Sequence, residues 1–314
     1  MFTVLGEALT DMVQPSAGNV YRARPAGGPL NIAVGLGRLG HPTAMMARFS
    51  AGALGERVRR YAVDERLDLS ASVVTEEQAT LAFATIDESG RASYDFYVNG
   101  TADWGWTDAE LARVPASSQA VHTGSLAAAI EPGATRITRL WSNLNSGGQV
   151  LLSFDPNVRP ALAGARQVAV RRIERLVALS HVVKASDEDL GWLYPDTDPE
   201  EAIRGWVGLG PALCVLTRGD EGSFGITSDL VAVEVEAPRV TTVDTIGAGD
   251  AFQAGLLSAI ADSGRLSPRT IYALAQAEVR ELLQRAVTIA ALTCERAGAD
   301  PPTRAEYEST VVGR

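Results

Sequence analysis

Asp244-Thr-Ile-Gly-Ala-Gly-Asp-Ala-Phe252 sets a glycine turn at the start of a helix and a carboxylate one residue past the turn. The backbone N–H groups of Gly247, Ala248 and Gly249 would converge on an anion, and the helix beginning there would bring its positive dipole end to the same place. Asp250 would face that anion. A carboxylate repels phosphate, so this position makes chemical sense if Asp250 removes a proton from a hydroxyl that attacks the phosphate. The structural alternative is an ordinary helix start with an acidic first turn behind a Gly-rich entry.

Other polar positions offer related chemistry. Asp155-Pro-Asn-Val-Arg159 puts a carboxylate, an amide and a guanidinium in one Pro-containing loop, although a turn in which Asp155 and Asn157 bond their own backbone has the same residues. Lysine occurs once among the 28 basic residues, at Lys184. In a chain so rich in arginine, that exception suits a site wanting a compact ammonium, or is a chance survivor on a solvated edge. A functional lysine predicts that Lys184→Arg impairs ligand use or turnover and leaves thermal stability alone. Ser186 and Asp189 stand at capping-box spacing, so an ordinary helix start competes with any ligand role there.

Several chemistries are excluded. There is no GxxxxGK[ST] phosphate loop and no GxSxG nucleophile elbow. Gly35-Leu-Gly-Arg-Leu-Gly40 fits a dinucleotide pattern but lies inside an expected helix, with Gly40 as its terminator. His41, His122 and His181 have no partner at metal spacing and read as structural. Trp104 and Trp106 suit packing better than sugar stacking. A formal charge of −10 argues against nucleic acid, which demands clustered Lys and Arg. No apolar stretch approaches a membrane span. Cys214 and Cys294 fit no CxxC or ligand spacing, and no basic-then-apolar leader is seen, which points to a reducing, cytoplasmic setting. Asn99-Gly-Thr101 reads as a turn rather than a glycosylation site.

These groups need a scaffold that gathers them. Apolar runs at 4–5, 120–123, 150–154, 181–183 and 213–216 read as buried parallel strands. Helical spacing predicts helices over 31–39, 134–144, 165–179, 199–209, 251–261 and, with a break, 268–296. Such alternation implies a doubly wound α/β sheet, with ligands beyond the carboxyl ends of its strands. Asp11, Asp155 to Arg159, Lys184 to Asp189 and Thr217 to Gly219 all come after expected strands. Residues 12–24 and 72–106 break the pattern and read as short strands, with 80–86 and 93–98 joined by a turn at Asp87-Glu-Ser-Gly90.

Gly27-Gly-Pro-Leu-Asn-Ile-Ala-Val-Gly-Leu-Gly-Arg-Leu-Gly40 and the Asp244 to Phe252 stretch resemble the two signatures of ribokinase-like, PfkB-type carbohydrate kinases. They occur in the right order, about two hundred residues apart. Gly6-Glu-Ala-Leu-Thr-Asp11, the Asp155 to Arg159 loop and the block from Lys184 to Pro195 look most like the fructokinase branch. The resemblance covers the whole chain. It implies one ribokinase-like domain over 1–314, a three-layer α/β/α sandwich with a mostly parallel central sheet, and a small β lid formed from 12–24 and 72–106.

It also implies transfer of the γ-phosphoryl group of ATP to a primary hydroxyl of a sugar, most similar to fructose. Asp250 would be the base, Gly247, Ala248 and Gly249 the anion hole, and Arg159 a contact to sugar or phosphate. Asp11, Gly27, Gly28, Asn31 and Asn157 would hold sugar hydroxyls, with Tyr97 closing over them from the lid. Lys184, Ser186, Thr217 and Gly219 would join the glycine turn in binding the nucleotide. Asp189 would hold Mg²⁺ through water, and Asp244 with the Ile246 carbonyl would hold K⁺, completed near Gly298. Ser186 and Asp189 depart from the family's Asn and Glu, and Ser50-Ala-Gly-Ala-Leu-Gly55 lacks its usual aspartate. A homodimer is compatible with the resemblance. The rivals are a kinase of an acidic sugar such as 2-keto-3-deoxygluconate, with Arg159 pairing its carboxylate, a nucleoside kinase, and a silent sugar-binding regulator.

Overall fold

Uninterrupted apolar strands need cover on both faces, and the fold supplies it. The computed structural model describes residues 1–14, 20–86 and 92–312. Its strands are β1 (Phe2–Leu5), β2 (Leu9–Val13), β3 (Arg22–Ala26), β4 (Thr43–Met46), β5 (Arg48–Ser50), β6 (Val73–Thr75), β7 (Leu81–Ile86) and β8 (Ala92–Tyr97). They continue with β9 (Ala120–Gly124), β10 (Leu151–Asp155), β11 (Val182–Ser186), β12 (Leu213–Thr217), β13 (Ser223–Thr227) and β14 (Ala232–Val235). Eight of them form the main sheet in the order β14-β13-β12-β11-β10-β9-β1-β4. Every pairing from β12 to β4 is parallel, and β13 and β14 close the other edge antiparallel.

Because side chains alternate along a strand, each buried run feeds two cores. Val4, Leu151, Val182 and Val215 pack into one with the helices Gly28–Arg38, Ala248–Asp262 and Gln276–Cys294. Leu5, Leu152, Val183 and Leu216 pack into the other with Gly133–Gly147, Arg166–Ala178 and Pro199–Val207. The result is the expected α/β/α layering. The break expected in the last long helix is a short 3-10 turn, Ile271–Ala273, ahead of Gln276. Gly40 ends the first helix with φ 86°, the left-handed region that glycine tolerates. Ser50 Oγ accepts from Gly52 N at 3.1 Å, so the turn lacking its aspartate still forms. Among the described residues no helix is long and apolar enough to cross a membrane.

A separate four-stranded sheet, β3-β2-β7-β8, stands over the carboxyl ends of the main strands as the lid. Its first strand begins earlier than expected. Asp11 is therefore inside a lid strand, paired with Arg24 and Ala82, rather than in a loop after β1. The expected turn at Asp87 to Gly90 lies outside the described residues.

Candidate active site

The parallel strands end together, and residues at or just past their carboxyl ends border a cavity of about 770 Å³. Glu7 comes after β1, Ser125 comes after β9, Asp155 ends β10, and Lys184 lies on β11. The lid contributes Leu9, Asp11, Ala82 and Phe96, and the glycine turn contributes Gly247, Gly249 and Asp250. Residues of the lid and of the glycine turn thus border one space.

Asp250 sits in the first turn of the Ala248–Asp262 helix and is buried. Its Oδ2 accepts from Asn31 Nδ2 at 2.8 Å. Burial pushes the Asp250 carboxyl above its ordinary range, while the Asn31 hydrogen bond and the charges of Lys184 and Arg159 pull it back. Two glycines make this approach possible. A Cβ at Gly28 would come within 3.0 Å of Asn157 Nδ2 and 3.2 Å of Asp250 Oδ1, and one at Gly247, whose φ is 77°, would strike Ala299 at 2.5 Å.

Of the turn's N–H groups, that of Ala248 donates to Thr245 O at 3.2 Å. Those of Gly247, Gly249 and Asp250 have no acceptor within the helix, as at any helix start, and are the ones available to an anion. Of the three expected hole residues, Ala248 has its N–H engaged within the turn itself.

Lys184 is not on a solvated edge. Its Nζ pairs with Asp155 Oδ2 at 2.9 Å, and both side chains are buried. Burial works against the ammonium, yet Asp155, Asp189 and Asp250 together hold its pKa above the ordinary value. Asp155 is pushed up to about 6 by burial against the pull of Lys184, so at neutral pH both groups are charged. Asp155 Oδ1 also accepts from Asn157 N at 3.1 Å. The local turn and the functional contact coexist. Arg159 is exposed at the cavity mouth and donates to Asn157 Oδ1 at 2.6 Å. Asp11 is pushed up to about 6 by burial, against the nearby Arg159 charge.

The remaining expected positions divide. The Ser186–Asp189 capping box is formed, and Asp189 Oδ1 additionally accepts from Val158 N at 2.7 Å, tying the Asp155 loop to the next helix. Its neighbour Glu188 borders the cavity instead. Thr217 and Gly219 lie one strand further along, Thr217 beside Ser186, and do not border the cavity. Asp244 accepts from Ile246 N at 3.0 Å and Gly298 N at 2.8 Å, so it links the glycine turn to the Gly298 loop. Tyr97 stands 61% exposed against Phe83, and Phe96 borders the cavity, because adjacent strand residues face opposite ways.

Glu7, Ser125 and Asn157 also stand out on the wall. Glu7 is buried, takes the Ala127 N–H at 3.0 Å and a hydrogen bond with Ser125, and is pushed up to about 7 by burial. Ser125 has φ 54° and Asn157 φ 36°, left-handed conformations that cost energy for residues other than glycine and concentrate at functional sites. The position of Ser125 directly after a parallel strand is the sequence signal that would have found it.

The pfkB family carbohydrate kinase profile matches residues 2–306. The chain belongs to that family. A pfkB kinase is a phosphotransferase acting on a sugar, and the fructokinase-like branch is supported as well. A fructokinase of Rhizobium leguminosarum bv. trifolii is 34% identical over 283 residues, covering 89% of this chain and 86% of its own. The solved fructokinase of Xylella fastidiosa with bound ATP superposes with a TM-score of 0.89 over 99% of this chain and 98% of its own, and at 24% identity it speaks for the fold. A double-mutant fructokinase of Vibrio cholerae O395, solved with fructose, ADP and potassium ion, gives a TM-score of 0.85 at 25% identity over 98% and 97%.

Proposed function

We propose that this pfkB kinase transfers the γ-phosphoryl group of ATP to a primary hydroxyl of fructose, acting as one unit over residues 1–314. The Asn31–Asp250 hydrogen bond carries the reading, because it sets a buried carboxylate between the lid wall and the anion-binding turn. A sugar held by Asp11, Gly27, Gly28, Asn31 and Asn157 would offer its hydroxyl to Asp250 Oδ1. Asp250 would take the proton as that oxygen attacks phosphorus. The N–H groups of Gly247 and Gly249, with the Lys184 ammonium, would meet the charge on the transferring group. The lid would keep water from competing with the sugar.

The residues suit a metal that arrives with the nucleotide. Among the described residues no three His, Cys, Asp or Glu side chains converge on one point, and Mg²⁺ commonly keeps several waters while binding phosphates. Glu188, which borders the cavity, and Asp189 beside it would hold those waters, and Mg²⁺ would offset phosphate charge when bound. Asp244 and the Ile246 carbonyl are assigned to K⁺, with Thr217 and Gly219 extending the nucleotide surface.

The buried carboxyl of Glu7 and the half-buried one of Asp11 on the cavity wall favour a neutral sugar over an acidic one. A panel of sugars in a coupled ADP-release assay tests the assignment. Fructose should give the highest kcat/KM, and potassium should activate more than sodium or lithium at constant ionic strength. Efficient use of 2-keto-3-deoxygluconate without fructose would replace the substrate, and no sugar-dependent ADP release from ATP would remove the kinase reading.

A further inference from the structure

We propose that Asp155 is a positioning residue for phosphoryl transfer, holding the ammonium of Lys184 against the glycine turn where the transferring group would sit. The proposal rests on the kinase reading of the cavity and adds a role for a carboxylate that its turn alone does not explain.

The geometry is restrictive. Asp155 is the last residue of β10, and Lys184 lies on the adjacent strand β11. Nζ and Oδ2 are 2.9 Å apart, with side-chain exposures of 5% and 3%. The other oxygen of Asp155 is fixed by Asn157 N, so the carboxylate is anchored at both ends. A Cβ at Gly249 would stand 3.5 Å from Nζ, which places the ammonium directly beneath the turn. An ammonium has three N–H donors. One goes to Asp155, and the others are free to meet an oxyanion.

Four groups face Lys184: Asp155 from β10, Asp189 from the helix Asp187–Leu193, Asp250 from the helix Ala248–Asp262, and His122 from β9. His122 is pushed down to about 3 by burial and by Lys184 itself, so it is neutral. Three carboxylates surround Lys184, and among the described residues Asp155 is the one within ion-pair distance of it. A buried amine deprived of its partner loses its proton readily. Asp155 therefore keeps the ammonium both charged and aimed.

The single lysine makes the test direct. With ¹³C,¹⁵N-lysine, the protein gives one lysine side-chain signal, to be monitored by NMR with and without a non-hydrolysable ATP analogue and Mg²⁺. In the wild type the signal should move on adding the analogue and stay that of an ammonium through the accessible alkaline range. In Asp155→Asn it should titrate within that range, the alkaline limb of kcat should move to lower pH, and kcat should fall roughly 10- to 100-fold with sugar KM within a few-fold. A lysine in Asp155→Asn that titrates as in the wild type, an unmoved alkaline limb, or a wild-type signal indifferent to the analogue would each overturn the proposal. If Asp155→Asn does not fold, Asp155→Glu should keep the lysine charged yet lose turnover, and full turnover there overturns the positioning role. A wild type that turns over no sugar removes the kinase reading instead, while the lysine signal still reports whether Asp155 holds the ammonium.

Discussion

Asn31 Nδ2 donates to Asp250 Oδ2 at 2.8 Å, joining two helix N-terminal turns that lie 219 residues apart in the chain. The bond occupies one carboxylate oxygen and leaves Oδ1, beside Gly28, to receive a proton. It also favours the charged form of a group that burial pushes toward the neutral one. The two influences oppose one another at Asp250, which suits the proton-acceptor role proposed for it.

Asp250→Asn should lower kcat by roughly 10²- to 10⁴-fold while the KM for ATP stays within a few-fold, since loss of the base acts on the transition state. Asn31→Ala should cost less, about tenfold, and move the acid limb of kcat upward because Asp250 loses the hydrogen bond that lowers its pKa. Steady-state kinetics across pH measure both. Near wild-type turnover in Asp250→Asn would remove its assignment as base.

Lys184→Arg should impair turnover and also lower Tm. Sequence alone suggests unchanged stability, but Lys184 is buried beneath Gly249 and a planar guanidinium overfills that space. Overpacking of a buried site costs about 1 to 3 kcal/mol. Thermal melts and kinetics of the variant, compared at one pH, decide it; an unchanged Tm together with unchanged turnover would make the single lysine incidental.

The parts of the site on glycine turns were legible in the sequence, because Gly27, Gly28 and Gly247 are needed where a Cβ would collide. The main strands were legible for a similar reason: Val4 and Leu5 are both apolar because each faces a different core. Short or edge strands such as β4, β13 and β14 were not, since their few residues carry little periodicity. The lid strands were legible, while which of Tyr97 and Phe96 borders the cavity turns on a single step of register. Ser125 is signalled by its place directly after a parallel strand, whereas the burial of Glu7 comes from converging strand ends, which no local pattern records. The Lys184–Asp155 pair joins residues from neighbouring strands, and only the sheet order reveals it.

Glu7 gives the stability a measurable pH dependence. Its folded pKa is about 7 against an ordinary 4.5, so the folded protein holds a proton that the unfolded chain has released. Stability contributed by that proton is full below about 4.5 and is lost as pH rises through about 7. The shift corresponds to roughly 3 to 4 kcal/mol. Asp11, Asp103 and Asp155, all pushed up to about 6, act in the same direction. Urea unfolding of the wild type and Glu7→Gln at pH 5 and pH 8 separates the Glu7 part. The wild type should lose more stability across that interval than the variant, and equal losses would show that Glu7 is ionised throughout.

Arg159 decides between a neutral and an acidic sugar. It lies exposed at the cavity mouth, bonded to Asn157, and its charge lowers the pKa of both Asp11 and Asp250. If it pairs a substrate carboxylate, Arg159→Ala should cost about 1.5 to 3 kcal/mol of affinity for the acid and spare neutral sugars. In a fructose kinase, the variant should instead lower kcat more than it raises sugar KM. The acid limb of kcat should then move to higher pH, because Asp250 and Asp11 lose a neighbouring positive charge. The second outcome is expected: a substrate carboxylate at this mouth would have to sit beside Glu7 and Asp11, and the lid strand from Ala92 to Tyr97 carries no second arginine to offset them. Kinetics of the variant with fructose and with 2-keto-3-deoxygluconate, each across pH 5 to 9, check it; a loss confined to affinity for the acid would assign Arg159 to substrate charge and leave the phosphoryl-transfer machinery of Asp250 in place.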